Sequence, residues 1–163
     1  MRWVAVAGML FISMIFGGHA SAQTATCTAS STNVAFGAYQ PLSGMSSTSP
    51  ATVTVSCSSA ALLSLMVSYT VNFGAGSGSF AARKLNGTTH PGAALAYQLY
   101  TSALYSQTLG DGTAGTTNIS DGYVLGVGAI PVTHTYTAYG RIPANQNVAP
   151  DTYSDSIVVM LSY

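Results

Sequence analysis

The last stretch of the sequence, residues 153–163, reads YSDSIVVMLSY. At every second position it places a large side chain on the same face, namely Tyr153, Ile157, Val159, Leu161 and Tyr163. Alternation with a period of two is typical of a β-strand that lies on a hydrophobic core. A strand this apolar normally needs a neighbour on each edge, because an unpaired edge invites other chains to add to it. The stretch therefore raises the question of what pairs with it.

The same alternation recurs upstream. In residues 51–57 the apolar positions alternate with Thr and Ser, which predicts that Cys57 points into the core. Three further sets alternate in the same way: Leu63, Leu65, Val67, Tyr69 and Val71; Leu95, Tyr97 and Leu99; and Val132, His134, Tyr136 and Ala138. These short runs predict a protein built from β-strands.

Turn signals separate the predicted strands. Asn86-Gly87 indicates a tight turn, and we interpret Asp111-Gly112 and Asp121-Gly122 as turns as well. No stretch of ten or more residues after the N-terminal segment combines helical periodicity with capping residues. We therefore predict one all-β domain over residues 23–163, a β-sandwich in architecture.

The N-terminus is typical of a secretory signal peptide, residues 1–22. Arg2 supplies a positive charge, residues 4–16 form an apolar run of 13, and residues 20–22 read Ala-Ser-Ala, an A-x-A cleavage site. Cleavage after Ala22 would leave 141 residues without a stretch long enough to span a bilayer. We expect an exported chain that passes through the periplasm to the extracellular surface.

Cys27 and Cys57 are the only cysteines of the sequence. An exported chain with an even cysteine count most often pairs them, since its compartment is oxidising. The spacing fits neither a zinc site nor a dithiol redox motif. We expect a disulfide that joins the first two strands.

The charge of the predicted mature chain is low. Arg83, Lys84 and Arg141 stand against four aspartates, and there is no glutamate. Nucleic acid and anionic membranes require clustered Lys and Arg, so we do not expect either as a partner. A surface with so little charge gives weak protection against association and suits a protein that assembles.

No motif for catalysis, metal or cofactor stands out. The segment Gly110 to Gly115 matches G-x-G-x-x-G, but a dinucleotide site needs a helix that opens at the last glycine. His90 and His134 are far apart in sequence and are interpreted as polar surface residues. Asp151 and Asp155 are poor candidates for a glycosidase pair. We expect no enzyme activity, no cofactor and no metal.

The sequence resembles the spore coat protein U domain family over essentially the whole predicted mature chain. The residues that carry the resemblance are Cys27, Phe36-Gly37 and Tyr39, Cys57, Arg83, residues 95–100, residues 110–112, residues 139–144 with Gln146, and the alternating C-terminal stretch from Tyr153 to Tyr163. The family includes secreted coat proteins and subunits of archaic chaperone-usher pili. One departure is Asp151-Thr152, where the family tends to place a glycine before the last strand.

The resemblance implies an immunoglobulin-like sandwich that lacks its seventh strand. A periplasmic chaperone, an outer-membrane usher and neighbouring pilus subunits are the implied partners, and a strand from another chain would fill the gap. The docking strand would then be the C-terminal one, with Tyr153, Ile157, Val159, Leu161 and Tyr163. We keep two alternatives open: a coat or cell-surface protein that never enters a fibre, and a module that binds glycans or host surfaces.

The predicted N-terminus is short for a fibre subunit. Only residues 23–26 would separate the cleavage site from Cys27, and four residues span roughly 13 Å as a strand. Filling a groove takes about ten residues. The hypothesis is a subunit that accepts a strand but donates none, either at the tip of a fibre or outside a polymer altogether.

Overall fold

The computed structural model describes residues 25–163, and every regular element in this range is a β-strand. The predicted signal peptide lies outside the described residues. The strands are β1 (Ala25–Ser31), β2 (Ser47–Ser59), β3 (Leu65–Phe73), β4 (Arg83–Gly87), β5 (Ala94–Tyr100), β6 (Ile119–Leu125), β7 (Val132–Ile142), β8 (Tyr153–Ser154) and β9 (Val159–Ser162). In the described part of the chain, no helix is long and apolar enough to cross a membrane.

The strands form two antiparallel sheets that pack as a sandwich. The larger sheet has the order β1-β2-β7-β5-β4-β8, and the smaller one has the order β6-β3-β9. The longest pairing joins β2 to β7, from Ser47 opposite Ile142 to Cys57 opposite Val132. The predicted all-β sandwich, consistent with an immunoglobulin-like fold, is therefore confirmed.

The core follows the alternation read from the sequence. Val53, Val55 and Cys57 of β2 are fully buried, and the intervening Thr and Ser residues are more exposed. Val71 of β3 and Leu125 of β6 meet them from the smaller sheet. Burial of one Val or Leu side chain stabilises the folded state by about 1.5 to 3 kcal/mol relative to leaving it in water.

The disulfide between Cys27 and Cys57 is present, as predicted. The two cysteines lie directly opposite each other in the β1–β2 ladder. The bond therefore fixes β1, an edge strand of the larger sheet, to its only neighbour.

The C-terminal stretch is two strands rather than one. β8 pairs with β4 in the larger sheet, where Tyr153 lies opposite Gly87. β9 pairs with β3 in the smaller sheet, from Val159 opposite Phe73 to Ser162 opposite Thr70. The chain thus crosses from one sheet to the other. The alternation in the sequence continues through the crossing because Tyr153 of β8 and Val159 and Leu161 of β9 all face the core.

Three other predictions need correction. Asn86-Gly87 is predicted to form a tight turn, but both residues lie within β4 and pair with Ser154 and Tyr153 of β8. The alternation predicts that Leu63 lies on the inward face of a strand, but Leu63 precedes β3 and is exposed. Asp121-Gly122 is predicted to form a turn, yet both residues lie within β6 and pair with Tyr69 and Ser68 of β3. The local turn preference of Asp-Gly is overridden by pairing with β3, a partner distant in sequence.

Candidate functional site

A groove runs along the open side of the smaller sheet. β9 is hydrogen-bonded to β3 along one edge, and no strand among residues 25–163 pairs with its other edge. Three strands cannot cover a sheet of six, so part of the larger sheet remains uncovered. The resulting groove has a volume of about 1060 Å³.

The floor of the groove is apolar. It is formed by inward side chains of the larger sheet, including Val53, Leu85, Leu95, Leu99 and Ile142. Phe73, Ile157 and Val159 line the side next to β9. Several of these side chains are buried already, so the groove continues the hydrophobic core to the surface.

Asp155 holds the segment between β8 and β9 in place. Its carboxylate accepts hydrogen bonds from the Ser77 amide, at 2.9 Å, and from the Tyr97 hydroxyl, at 2.7 Å. Burial opposes ionisation, but these hydrogen bonds and that of the Ser77 hydroxyl prevail and lower the pKa of Asp155. An ionised Asp155 therefore fixes the crossing between β8 and β9.

Asp151 holds the start of the same crossing. Its carboxylate accepts hydrogen bonds from the amides of Thr89 and His90 in the β4–β5 turn and from its neighbour Thr152. Burial alone would raise the pKa of Asp151, but the hydrogen bonds from the His90 and Thr89 amides lower it overall. Asp151, which stands where the family tends to have a glycine, thus connects the start of β8 to the β4–β5 turn.

Arg83 fixes the end of β3, the strand on which β9 rests. Its guanidinium is fully buried and donates to the carbonyl oxygens of Gly74, at 2.8 Å, and Leu109, at 2.9 Å. Gly74 in turn donates its amide to the carbonyl of Val158, at 2.9 Å. A buried cation thus connects β4 of the larger sheet to the edge of the groove.

Tyr39 and Gln146 secure the opposite side. The Tyr39 hydroxyl donates to the carbonyl of Pro143, at 3.0 Å, and accepts from the amide of Gln146, at 2.9 Å. The Gln146 side chain exchanges two hydrogen bonds with the main chain of Ala96 in β5. Nearby, Gly140 of β7 allows Val34 and Phe36 to pack against the sheet, since a Cβ there would lie 2.5 Å from the Val34 side chain.

The structure places most of the predicted docking residues together. Tyr153, Ile157, Val159 and Leu161 are half-buried and pack against the core, whereas Tyr163 is 60% exposed beyond the end of β9. Leu161 faces inward but does not line the groove, and Ile157 lies between the two strands. Their role as a docking strand remains a prediction.

The other edge of the smaller sheet carries a polar cluster that the sequence analysis missed. Asp121 on β6 points between the sheets and accepts hydrogen bonds from the Tyr136 hydroxyl and from Nδ1 of His134, the latter at 3.0 Å. Tyr136 also bonds to the hydroxyl of Tyr69 on β3. The hydrogen bond from Tyr136, followed by that from His134, lowers the pKa of Asp121 to about 2. Only the alternation of His134 and Tyr136 along β7 hinted at such a cluster.

The described residues do not gather a metal site. No three side chains of His, Cys, Asp or Glu within residues 25–163 lie close enough to share an ion. The two histidines of the described residues are each paired with one aspartate, His90 with Asp151 at 3.3 Å and His134 with Asp121.

The model of the Spore Coat Protein U domain matches residues 18–160. The chain belongs to the spore coat protein U domain family. The resemblance drawn from the sequence is therefore confirmed. No curated protein matches the chain.

Membership in the spore coat protein U family defines the protein at a coarse level. Its domain is of the pilus or coat type, which is structural and is not known as an enzyme. The family is extracellular or surface-located, and the disulfide fits an exported protein. In this spore coat protein U chain the groove beside β9 is the candidate functional site.

Proposed function

We propose that this chain is a structural subunit of an extracellular pilus or coat, completed by a β-strand from another molecule. The observation that carries the proposal is the open edge of β9 beside an apolar groove. A strand added there would satisfy the free main-chain groups of β9. Its apolar side chains, at alternate positions, would fill the groove.

A comparison of the two edge strands of the smaller sheet, β6 and β9, supports strand addition at β9. On β6 an inward-pointing charge, Asp121, occupies the edge strand, and such charges are one device by which proteins prevent unwanted strand addition. On β9 the residues are Val159, Met160, Leu161 and Ser162, with no charge and no proline. The edge of β9 is therefore the one suited to accept a partner.

The proposed partners follow the chaperone-usher route. A periplasmic chaperone would supply the first strand, and an outer-membrane usher would exchange it for a strand of a neighbouring subunit. The apolar groove gives the reason for a chaperone, because a chain with this surface exposed is prone to aggregate. A coat protein secreted without a fibre is the alternative within the family.

We further propose an acceptor that donates no strand. β1 begins at Ala25, which pairs with Ser59, so cleavage after Ala22 would leave only Gln23 and Thr24 ahead of the sheet. Two residues span roughly 7 Å, far less than a groove-filling strand of about ten residues. Such a subunit fits the tip of a fibre.

The N-terminus of the exported protein tests this terminal role. We expect N-terminal sequencing to begin at Gln23 and the purified chain to form no linear multimers by itself. Self-polymerisation through an N-terminal strand would contradict the role at the tip but would leave the acceptor groove intact.

A pair of double variants tests the acceptor edge. Val159→Asp with Leu161→Asp places two charges on the inward face of β9, at a cost of several kcal/mol when a strand covers them. We expect loss of co-purification with the chaperone and degradation of the chain. The matched control is Val158→Asp with Met160→Asp, which adds the same charge at exposed positions of the same segment.

The comparison of the two variants separates the outcomes. Capture of the control at the wild-type level, with loss of the inward variant, supports the proposal. An inward variant that is secreted and stable as a monomer at the wild-type level contradicts it.

A further inference from the structure

Arg141 lies on the outer face of the larger sheet, away from the groove. It pairs with Gln98 of β5 on one side and with Thr48 of β2 on the other. Its guanidinium forms no hydrogen bond or ion pair with any residue of the described range, and its Nε is buried without an acceptor. A guanidinium offers five donors in a planar fork, which matches a carboxylate.

The aspartates of the chain do not fill this role, because each is bound elsewhere. Asp111 accepts from Thr113, and Asp121 accepts from His134 and Tyr136. The carboxylates of Asp151 and Asp155 hold the crossing described above. The chain contains no other acidic side chain.

Aromatic rings hold the guanidinium in place. Cζ of Arg141 lies 5.2 Å from the ring centroid of Tyr105, and that ring meets Tyr100 edge to face with centroids 5.3 Å apart. Tyr105 adopts a φ of +52°, which is uncommon for a residue with a side chain. The ring of Tyr105 lies over the guanidinium, at a distance typical of a cation–π contact.

A hollow adjoins this cluster. It has a volume of about 520 Å³ and is lined by Phe80, Gln98, Tyr100 and Pro143, among others. Arg141 and Tyr105 do not line the hollow themselves, but Gln98, which does, lies directly opposite Arg141 in the β5–β7 ladder. The volume falls within the range of small-molecule sites.

We infer that Arg141, Tyr105 and Tyr100 form a binding site for a carboxylate-bearing saccharide. The guanidinium binds the carboxylate through its fork, and the aromatic side chains border the sugar ring. This site lies on the opposite side of the larger sheet from the groove and does not depend on the proposed assembly function.

The test is an NMR titration of the full exported chain with D-glucuronate, and with D-glucose as the neutral control. We expect glucuronate to shift the amide signals around Tyr100, Tyr105 and Arg141, with at least tenfold weaker binding of glucose. This measurement on the wild-type chain locates the site without relying on a variant that could fail to fold.

Three variants complete the test. Arg141→Gln should weaken glucuronate binding about tenfold or more, since it removes a charge-assisted hydrogen bond. Arg141→Lys keeps the charge but not the fork, and should lose part of the affinity. Lys84→Gln removes one charge from an exposed position of the same face and should bind as the wild type does.

Several results would overturn the inference. These are the absence of glucuronate binding to the wild-type chain, shifts confined to another surface, an unchanged affinity in Arg141→Gln, or equal binding of acetate and glucuronate. The last result would mean that the aromatic border contributes nothing to recognition of a sugar.

Discussion

At the scale of single residues, the ionised carboxylates determine how the sandwich is closed. Asp121 closes the β6 side by bonding to two residues of β7, while Asp155 anchors the chain where it crosses to β9. Their pKa values are lowered by these hydrogen bonds. A carboxylate with a lowered pKa stabilises the folded state only while it remains ionised.

Asp121→Asn should therefore destabilise the protein in a pH-dependent way. The pKa of Asp121 falls from 3.8 to about 2 on folding, so its contribution is complete above pH 3.8 and disappears as the pH falls toward 2. The groups that face it are His134, Tyr136 and Tyr69. Unfolding free energies of the variant and the wild type should differ at pH 7 and converge near pH 2.

The control for this experiment is Asp111→Asn, in an exposed turn far from the sheet contact. Hydrogen bonds from Thr113 lower the pKa of Asp111 as well, so this variant should also lose some pH dependence, but less than Asp121→Asn, because these bonds lie within one turn and do not join the sheets. A difference for Asp121→Asn that is independent of pH would show that the charge of Asp121 does not hold the sheets together.

At the scale of elements, the edge strands differ in how they are secured. β1 has one neighbour and is bound to it covalently through Cys27 and Cys57. β6 has one neighbour and is held across the sandwich by Asp121. β9 has one neighbour and no such restraint among the described residues. An added strand would therefore stabilise the fold most at this edge.

Removal of the disulfide should loosen β1. Cys27→Ala with Cys57→Ala eliminates a cross-link that closes a loop of 29 intervening residues. On the chain-entropy model the free energy of unfolding should fall by roughly 3 to 4 kcal/mol. Denaturant unfolding at equilibrium measures this change, and a midpoint equal to that of the wild type would contradict it.

The sequence predicts elements better than it predicts their partners. The alternation in β2 identified its inward face correctly, because burial of every second side chain is a local pattern. It failed at the crossing between β8 and β9, since alternation continues through Asp155 while the chain changes sheets. It also failed at Asp121, whose surroundings come from β3 and β7 rather than from its neighbours in sequence.

At the scale of the whole molecule, the sandwich is closed on one side and open on the other. The closed side has the polar cluster around Asp121, and the open side has the apolar groove along β9. The sequence alone showed an apolar C-terminal stretch, whereas the missing neighbour came from the family resemblance. The central claim is that another chain supplies this neighbour.

Hydrogen–deuterium exchange of residues 157–162 shows whether another chain pairs with β9. We compare the isolated chain with the same chain bound to its chaperone or incorporated in the surface assembly. We expect amides at the free edge of β9 to exchange rapidly in the isolated chain and at least tenfold more slowly when bound, because an added strand forms hydrogen bonds with them. Equal exchange of this segment in both states, with protection appearing elsewhere, would contradict it.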